Sequence, residues 1–371
     1  MFATARLGAL SAALAVSVFL VAGCGRSASW SPSGRSLAID IGGKLQLFDV
    51  ATGTFTPLET GGRYAVNPAF SPNAKQVAYY GITKAEGKRA TCDIWVQDPG
   101  KSSGSERKIA SDVFRLKGEP LLEAATHIRG TMVLAWSPDG RKLAHSRMAE
   151  ERGAIEIVDL ESGDVTRCGR SGESQIMPAW SPSGTRIAYL AETHSRMAEP
   201  GVAFDLCVAD VDSSATPERI GDSPTHGEIW PYWPITWSAD GAGVVVLTQQ
   251  NGSSAFEARL VPAAGGASRL LTRVDTAQAT ITPDLQVVVY MGGDQNGAVI
   301  YKSAQFQREQ VLDRIAPWTR REPAPLEIPA VPLYPVISPD GKTVVLPLVN
   351  EHRELRLYEV ASGRKRVYPI P

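Results

Sequence analysis

Residues Trp136 to His145 read W-S-P-D-G-R-K-L-A-H, and the pattern behind this stretch occurs seven times along the chain. Each copy has an aromatic or apolar anchor, then Ser-Pro, Thr-Pro or once Ser-Ala, a turn, and a mainly apolar triplet 7, 8 and 9 residues after the anchor. The seven anchors are Trp30, Phe70, Trp136, Trp180, Trp237, Ile281 and Ile337. The triplets are Leu37–Ile39, Val77–Tyr79, Leu143–His145, Ile187–Tyr189, Val244–Val246, Val288–Tyr290 and Val344–Leu346. Chance does not keep this spacing in seven copies, so we treat each copy as a structural repeat, numbered 1 to 7 along the chain.

Each repeat contains the pattern of four short strands, A to D. Strand A ends at the anchor, and strand B contains the triplet. Strand C alternates apolar and polar residues, as in Leu45–Val50, and strand D is a short outer strand such as Arg107–Ile109. The continuous apolar character of the triplet predicts that both faces of strand B are covered. One four-stranded unit cannot cover its own two faces, whereas units stacked radially cover each other.

The spacing of the anchors favours the same arrangement. Consecutive anchors lie 40, 66, 44, 57, 44 and 56 residues apart, and propeller blades repeat every ~40–50 residues. We therefore expect an all-β fold, a β-propeller of four-stranded antiparallel blades. Seven blades are expected, with six or eight as alternatives if the long gaps are divided differently. We expect the ring to close mainly by packing between repeats 1 and 7.

The anchor followed by Ser-Pro-(Asp/Ser)-Gly, best seen at Trp136 to Gly140, resembles the repeats of exported β-propellers of the TolB type. These repeats are often called WD40-like or PD40. The resemblance covers all seven repeats and implies the propeller fold and export. It does not imply a ligand.

The N-terminal residues indicate export. Arg6 precedes the uncharged, mostly apolar run Leu7–Leu20, which is short for a membrane span and typical of a signal peptide. The ending Val21-Ala22-Gly23-Cys24 resembles the lipobox of bacterial lipoproteins. The resemblance implies a signal peptide over residues 1–23, a lipidated tether over residues 24–29 that starts at Cys24, and one propeller domain over residues 30–371. An ordinary secretory signal with an incidental cysteine is the alternative.

The same resemblance suggests a location. Gly25, rather than Asp, follows the lipidated cysteine, which favours the outer membrane, facing the periplasm, in a cell with two membranes. In a cell with one membrane, the protein would lie on the outer leaflet of the plasma membrane.

Charge and cysteine content bear on which partners and which metal sites to expect. The net charge is −1, with 21% charged residues and no basic stripe, so we expect no nucleic-acid partner. Apart from Cys24, three cysteines remain, Cys92, Cys168 and Cys207, so at least one is unpaired. They are either buried free thiols or include a Cys168–Cys207 bridge. No Cys-x-x-Cys spacing points to zinc.

Loop length predicts where binding occurs. The A–B turn has one length in all seven repeats, whereas the B–C and D–A loops vary. The long examples are residues 81–91, 146–153 and 191–203 between strands B and C, and 111–129, 221–233 and 316–334 between repeats. In a propeller these two loop classes share one rim, and variable loops on a fixed scaffold often carry binding. We expect one working face there; drift of solvated loops is the alternative.

An aromatic segment of repeat 5 is the first candidate within that face. Trp230, Tyr232 and Trp233 lie just before the anchor Trp237. They could form a stacking platform for a sugar or an apolar peptide side chain, because Trp and Tyr contribute much of the energy of interfaces. The alternative is that they fill the mouth of the channel as core.

A hexapeptide that occurs twice is the second candidate. H-S-R-M-A-E starts at residue 145 and again at residue 194, and it contains His145, Arg147, His194 and Arg196. Near one rim, these side chains could bind an anion or a metal. A relic of blade duplication on a solvated loop is the alternative.

His226 and Glu228, beside the aromatic segment, are the third candidate. This pair could ligate a divalent ion or take part in acid–base chemistry. An ordinary surface hydrogen bond is the alternative.

Three functions are compatible with these features. We favour a non-catalytic binding or scaffold protein that holds an envelope protein or polymer on its loop face and needs no cofactor. The second function is catalysis: sugar lyases that resemble these propellers use a metal held by His and Glu or Gln, so a divalent metal remains possible. Similar propellers also accompany serine peptidases of the prolyl oligopeptidase group, but we expect no hydrolase domain here. A ligand-sensing domain for a membrane partner is the third.

Overall fold

The computed structural model describes residues 28–83, 91–101, 104–114, 125, 128–129, 132–149, 152–169, 173–194, 202–212, 217–220, 228–229, 235–249, 255–276, 279–292, 298–303, 307–314, 335–348 and 353–371. Almost all regular structure in these residues is β-strand. Among them, no helix is long and apolar enough to span a membrane.

The strands follow the repeats in order. Repeats 1 and 2 contain β1 (Ala28–Trp30), β2 (Ser36–Ile41), β3 (Lys44–Asp49), β4 (Thr54–Leu58), β5 (Tyr64–Phe70), β6 (Val77–Thr83), β7 (Thr91–Gln97) and β8 (Arg107–Phe114). Repeats 3 and 4 contain β9 (Leu134–Trp136), β10 (Lys142–Ala149), β11 (Arg152–Asp159), β12 (Val165–Cys168), β13 (Gln175–Trp180), β14 (Arg186–His194), β15 (Val202–Asp210) and β16 (Glu218–Arg219). Repeats 5 to 7 contain β17 (Glu228–Ile229), β18 (Thr236–Trp237), β19 (Gly243–Gln249), β20 (Phe256–Pro262), β21 (Arg269–Val274), β22 (Ala279–Ile281), β23 (Val288–Met291), β24 (Ala298–Ser303), β25 (Arg308–Arg314), β26 (Val336–Ile337), β27 (Thr343–Leu348), β28 (Glu354–Glu359) and β29 (Arg364–Pro369).

The strand assignment from the anchors is confirmed. Every anchor is the last residue of a strand A, and every triplet lies within the following strand B. Strands A, B, C and D of a repeat pair antiparallel in chain order, as in β1-β2-β3-β4. The chain is thus an all-β propeller of four-stranded antiparallel blades.

The number of hydrogen-bonded sheets differs from the seven separate ones expected. The described residues form five sheets of four or five strands and one sheet of eight. The eight-stranded sheet joins the strands of repeats 2 and 3 through a single parallel pair, Met148 with Phe114. The join arises because the end of β8 reaches the end of β10, a contact between repeats that the repeat pattern cannot encode.

The invariant A–B turn owes its form to the residues after the anchor. In repeat 3, Ser137 Oγ donates to Asp139 Oδ1 at 2.6 Å and accepts from the backbone N–H of Lys142 at 2.8 Å. Gly140 has φ 72°, a conformation that costs glycine little. The Ser or Thr at this position is buried in every repeat, so its hydroxyl must find partners inside the turn.

Apolar side chains fill the contacts between consecutive repeats, which we call seams. Successive residues of a strand point to opposite faces. The middle residue of one triplet therefore packs against the first residue of the next, as Ala144 of repeat 3 does against Ile187 of repeat 4. Seven such clusters occur in the described residues, one at each seam.

The tryptophan anchors also hydrogen-bond across the seams. Trp237 Nε1 donates to the carbonyl oxygen of Ala179 at 2.9 Å, and Trp180 Nε1 donates to that of Ala135 at 3.0 Å. Each acceptor directly precedes the anchor of the preceding repeat. Each of these tryptophans thus packs its ring in a seam and also hydrogen-bonds to strand A of the preceding repeat.

The first and last repeats meet in the same way, as predicted. Leu37 of repeat 1 lies in one cluster with Val345 and Leu355 of repeat 7. Trp30 Nε1 donates to the carbonyl oxygen of Val336 at 3.3 Å. The same seam contacts therefore close the ring.

Candidate functional site

The variable loops open at one end of the propeller, which we call the rim. In repeat 1, Ala28 at the start of strand A pairs with Ile39, close to the B–C turn at residues 42–43. In repeat 7, Pro369 at the end of strand D pairs with Glu354 at the start of strand C. The A–B turns and C–D hairpins lie at the opposite end, so the rim collects every B–C and D–A connection.

Most candidates from the sequence fall outside the described residues. These are Trp230, Tyr232, Trp233, His226, Arg196 and, for the lipid, Cys24. The backbone of Glu228 opens β17 and pairs with Gln249, and that of His194 ends β14 and pairs with Val202. These two positions therefore lie at the rim of repeats 5 and 4.

The structure places His145 inside a seam, not on an exposed loop. His145 lies in β10, pairs with Glu156 of β11, and has no exposed surface. Its Nε2 is 3.7 Å from Glu156 Oε2, and neither ring nitrogen has a hydrogen-bond partner in the described residues. Burial lowers the pKa of His145 to about 4, although Glu156 opposes this shift. The ring is therefore neutral near pH 7.

Arg147 links two repeats through the same carboxylate. Its Nε lies 2.7 Å from Glu156 Oε2, and its Nη1 donates to the carbonyl oxygens of Ser111 and Asp112 in β8 at 3.1 and 3.0 Å. Arg167 Nε lies 3.4 Å from the other oxygen of Glu156. Since arginine occupies both oxygens, Glu156 and His145 do not form an open metal site.

We expect acid to destabilise the protein through His145. Between pH 6.5 and about 4, the unfolded chain binds a proton at this residue that the folded protein does not. Stability therefore falls as the pH drops through this window, by up to about 3 kcal/mol, and the effect is absent above it. His145→Gln should remove this part of the pH dependence. Denaturant unfolding at about pH 4.5 and about pH 7.5 measures it; equal pH dependence in both proteins would contradict the assignment.

A buried ion pair near the rim was not expected from the sequence. Arg129, in the connection between repeats 2 and 3, binds Asp40 of repeat 1 with Nε to Oδ2 at 2.7 Å and Nη2 to Oδ1 at 3.0 Å. The side chains are 8% and 0% exposed. Tyr64 lies beside them, with its hydroxyl 3.4 Å from Arg129 Nη2. Burial works to lower the pKa of Arg129, but the charge of Asp40 raises it above its usual value.

Asn67 fixes the connection that carries Arg129. Its Nδ2 donates to the carbonyl oxygens of Ile128 at 2.9 Å and Met132 at 2.8 Å. Asn67 has φ 51° and lies in a bulge of β5, directly before Pro68. The Asn-Pro pair was the only local signal for this contact. We call residues 125–132 the strap, because two side chains of earlier repeats hold its described residues against the rim.

Other charges near the seams also have partners. Glu257 of β20 lies 2.8 Å from Arg259 and 3.0 Å from Arg273. Asp313 of β25 accepts from Arg356 at 2.9 Å and Tyr358 at 2.8 Å across the seam between repeats 6 and 7. Partial burial works to raise the pKa of Asp313, but these hydrogen bonds keep it below its usual value. Of these two groups, the one around Asp313 links neighbouring repeats, whereas the one around Glu257 lies within repeat 5.

The cysteines match the simpler of their two expectations. Cys92, Cys168 and Cys207 are buried free thiols, so the Cys168–Cys207 bridge is not formed. Burial raises the pKa of Cys168 to about 11. Within the described ranges, no three His, Cys, Asp or Glu side chains are grouped so that they could hold a metal ion.

No protein-family model matches this chain, and no curated protein matches it in sequence. Solved structures do match in fold. An oligogalacturonate lyase from Vibrio parahaemolyticus shares 12% identity at a TM-score of 0.61, and an oligogalacturonate lyase in complex with manganese shares 14% at 0.60; each match covers 92% of this chain and 88% of the other. TolB from Acinetobacter baumannii shares 19% identity at a TM-score of 0.49, over 76% of this chain and 61% of that one. At these identities the likeness to the lyases is one of fold alone.

Proposed function

We propose that this chain is a lipid-anchored, exported propeller of the cell envelope that acts as a non-catalytic binding or scaffold protein. Lipid on Cys24 would hold it to the membrane, and the rim would bind an envelope protein or polymer. One observation carries the proposal: the D–A connections, which differ most in length, open at the rim, whereas the A–B turns, in which anchor and triplet keep one spacing, lie at the other end. A rigid scaffold with variable loops on one face is the usual arrangement of a binding protein.

We also propose that the propeller has seven blades. Each repeat supplies its own strands A to D, and seven apolar clusters separate consecutive repeats. The eight-stranded sheet is then two blades that share one bridge, Met148 with Phe114.

The aromatic segment of repeat 5 is the proposed centre of binding. Ile229 of β17 pairs with Thr248, and Thr236 of β18 pairs with Val245. In the sequence, six residues thus separate Ile229 from Thr236, whereas only two, 246–247, separate the residues they pair with, so the segment is longer than its partner. Strand A is an edge strand of this sheet and would be the innermost strand of a propeller blade. This surplus of sequence supports the proposal that Trp230, Tyr232 and Trp233 contact the ligand.

The test is capture of the partner. The intact lipidated protein would be cross-linked in cells and purified by affinity, beside a variant with Trp230, Tyr232 and Trp233 changed to Ala. We expect a partner that the wild type captures and the variant loses. A control variant removes exposed apolar side chains from strands D instead, with Val165, Val311 and Val367 changed to Ala, and it should still capture the partner. Capture that all three proteins share equally would refute the role of the segment.

The lyase alternative has one observation in its favour, the shared propeller fold. One of its candidate ligands, His145, does not fit, because it is buried in a seam and arginines hold the neighbouring Glu156. We therefore place binding first. One Gly-x-Ser-x-Gly match does occur, at residues 100–104, but it joins β7 to β8 instead of forming the strand-to-helix turn of serine hydrolases. A stoichiometric divalent ion that only a chelator removes from the purified protein would favour the lyase function over the binding function.

A further inference from the structure

Both ends of the described chain lie at the rim. Ala28 starts β1 at the rim end of repeat 1. At the other terminus, the backbone N–H of Ile370 donates to the carbonyl oxygen of Arg353 at 2.7 Å, which holds the end of β29 beside the B–C connection of repeat 7. Ala28 and Ile370 lie in the same apolar cluster. The two termini therefore leave the propeller at one place, the rim of repeats 7 and 1.

The attachment of Ala28 to the propeller is rigid. Ala28 is 1% exposed and packs in the seam with Leu355 and Ile370. Ser29 Oγ also accepts the backbone N–H of Phe70 in repeat 2 at 3.1 Å. The position of Ala28 is therefore fixed relative to the seam between repeats 7 and 1.

The expected tether of residues 24–29 is shortened by the fold, because Ala28 and Ser29 belong to β1. From Cys24 to Ala28 there are four peptide steps, which span at most about 14 Å even when fully extended. The A–B turns lie at the far end of strands such as the six-residue β2, about 20 Å away at 3.3 Å per residue. A tether of this length cannot pass around the propeller to that end.

We infer that the rim of repeats 7 and 1 faces the bilayer that holds the lipids of Cys24 and rests on its headgroup layer. The inference deepens the proposed function and rests on its lipidation of Cys24. It also places the working face at the membrane surface, so a ligand would bind this face next to the membrane.

The chemistry of this part of the rim fits headgroups and not hydrocarbon. Its exposed residues include Lys44 and Glu59 of repeat 1 and Arg353 of repeat 7. The exposed large hydrophobic residues of the described chain are Val165, Val311 and Val367, all on strands D. A polar surface with both charge signs lies at the hydrated interface, whereas insertion requires an apolar face.

Four labelled variants test the orientation. Lys44→Cys and Arg353→Cys place a thiol at the rim of repeats 1 and 7, and Arg35→Cys and Lys342→Cys place one at the A–B turns of the same repeats. All four positions are exposed and basic, and the buried thiols of Cys92, Cys168 and Cys207 should not react. Each lipidated protein would carry a maleimide fluorophore and be reconstituted into vesicles that contain a lipid with a nitroxide headgroup. We expect loss of fluorescence at the two rim positions and little change at the two turn positions.

The outcomes separate the orientation from the anchor. Equal or stronger quenching at residues 35 and 342, or no quenching at any position of vesicle-bound protein, overturns the orientation and leaves the anchor intact. Cys24→Ser, combined with the label at residue 44, should not bind the vesicles. If it binds as the parent does, lipidation of Cys24 is not what attaches the protein, and both the anchor and the orientation fall.

Discussion

Trp237→Ala should lower the free energy of unfolding by roughly 3–5 kcal/mol, the range for buried aromatic residues replaced by alanine. Trp237 is the most buried of the tryptophan anchors, at 4% exposed, and packs in the seam cluster that contains Ile176 and Val244. Its loss opens a cavity there and also leaves the carbonyl oxygen of Ala179 without its indole donor. Because every seam of a closed ring depends on its neighbours, the whole unfolding transition should shift.

Trp237→Phe separates the two contributions. It keeps an aromatic ring in the seam but removes the hydrogen bond to Ala179 and part of the indole, and should cost less, about 1–2 kcal/mol. Urea unfolding followed by far-ultraviolet circular dichroism measures both variants. If Ala costs no more than Phe, the seam does not depend on the anchor, and the role assigned to the anchors is wrong.

Arg129→Ala should be nearly as damaging, at about 3–5 kcal/mol. The change leaves the fully buried carboxylate of Asp40 with the backbone N–H of Gly43, which donates to its Oδ1 at 3.0 Å, as its remaining hydrogen-bond donor among the described residues. An unpaired buried charge costs far more than an intact pair contributes. The strap should also loosen, because Arg129 joins it to repeat 1.

A double-mutant cycle tests the pairing directly. Asp40→Asn together with Arg129→Gln removes both charges and should be less damaging than Arg129→Ala alone. The two single changes, Asp40→Asn and Arg129→Gln, complete the cycle, and their coupling energy should lie well above the few tenths of a kcal/mol of independent sites. Additive effects in chemical unfolding would show that the pair contributes nothing specific.

Local sequence rules were sufficient to predict the strands. The Ser-Pro-Asp-Gly turn at residues 137–140 and the apolar triplet at 143–145 act over ten residues, and both have the predicted structure. The closing contact between repeats 1 and 7 was predictable as well, since a ring of stacked sheets must bury the outer faces of its first and last members.

Side-chain environments across the seams were not predictable in the same way. His145 occupies the third position of its triplet, where repeats 2, 4 and 6 have tyrosine, and that register should have indicated burial. The hexapeptide that His145 opens suggests an exposed loop instead, and its second copy starts at His194, the last residue of β14. The difference arises because the two copies are offset by five residues relative to their anchors.

Period, turn chemistry and anchor spacing are local properties, so the amino-acid sequence was enough to define the repeats, their strands and the end of the propeller where the loops vary. Which polar groups pair with each other is not determined by neighbouring residues in the sequence. Arg129 meets Asp40 across 89 positions, and Trp30 meets Val336 across 306. These residues come together only in the closed ring, because the packing of whole sheets decides which charges and donors lie within hydrogen-bonding range. The tertiary structure therefore decided what the sequence could not: which buried charges are paired, that His145 is sealed in a seam, and that both chain ends leave from the rim.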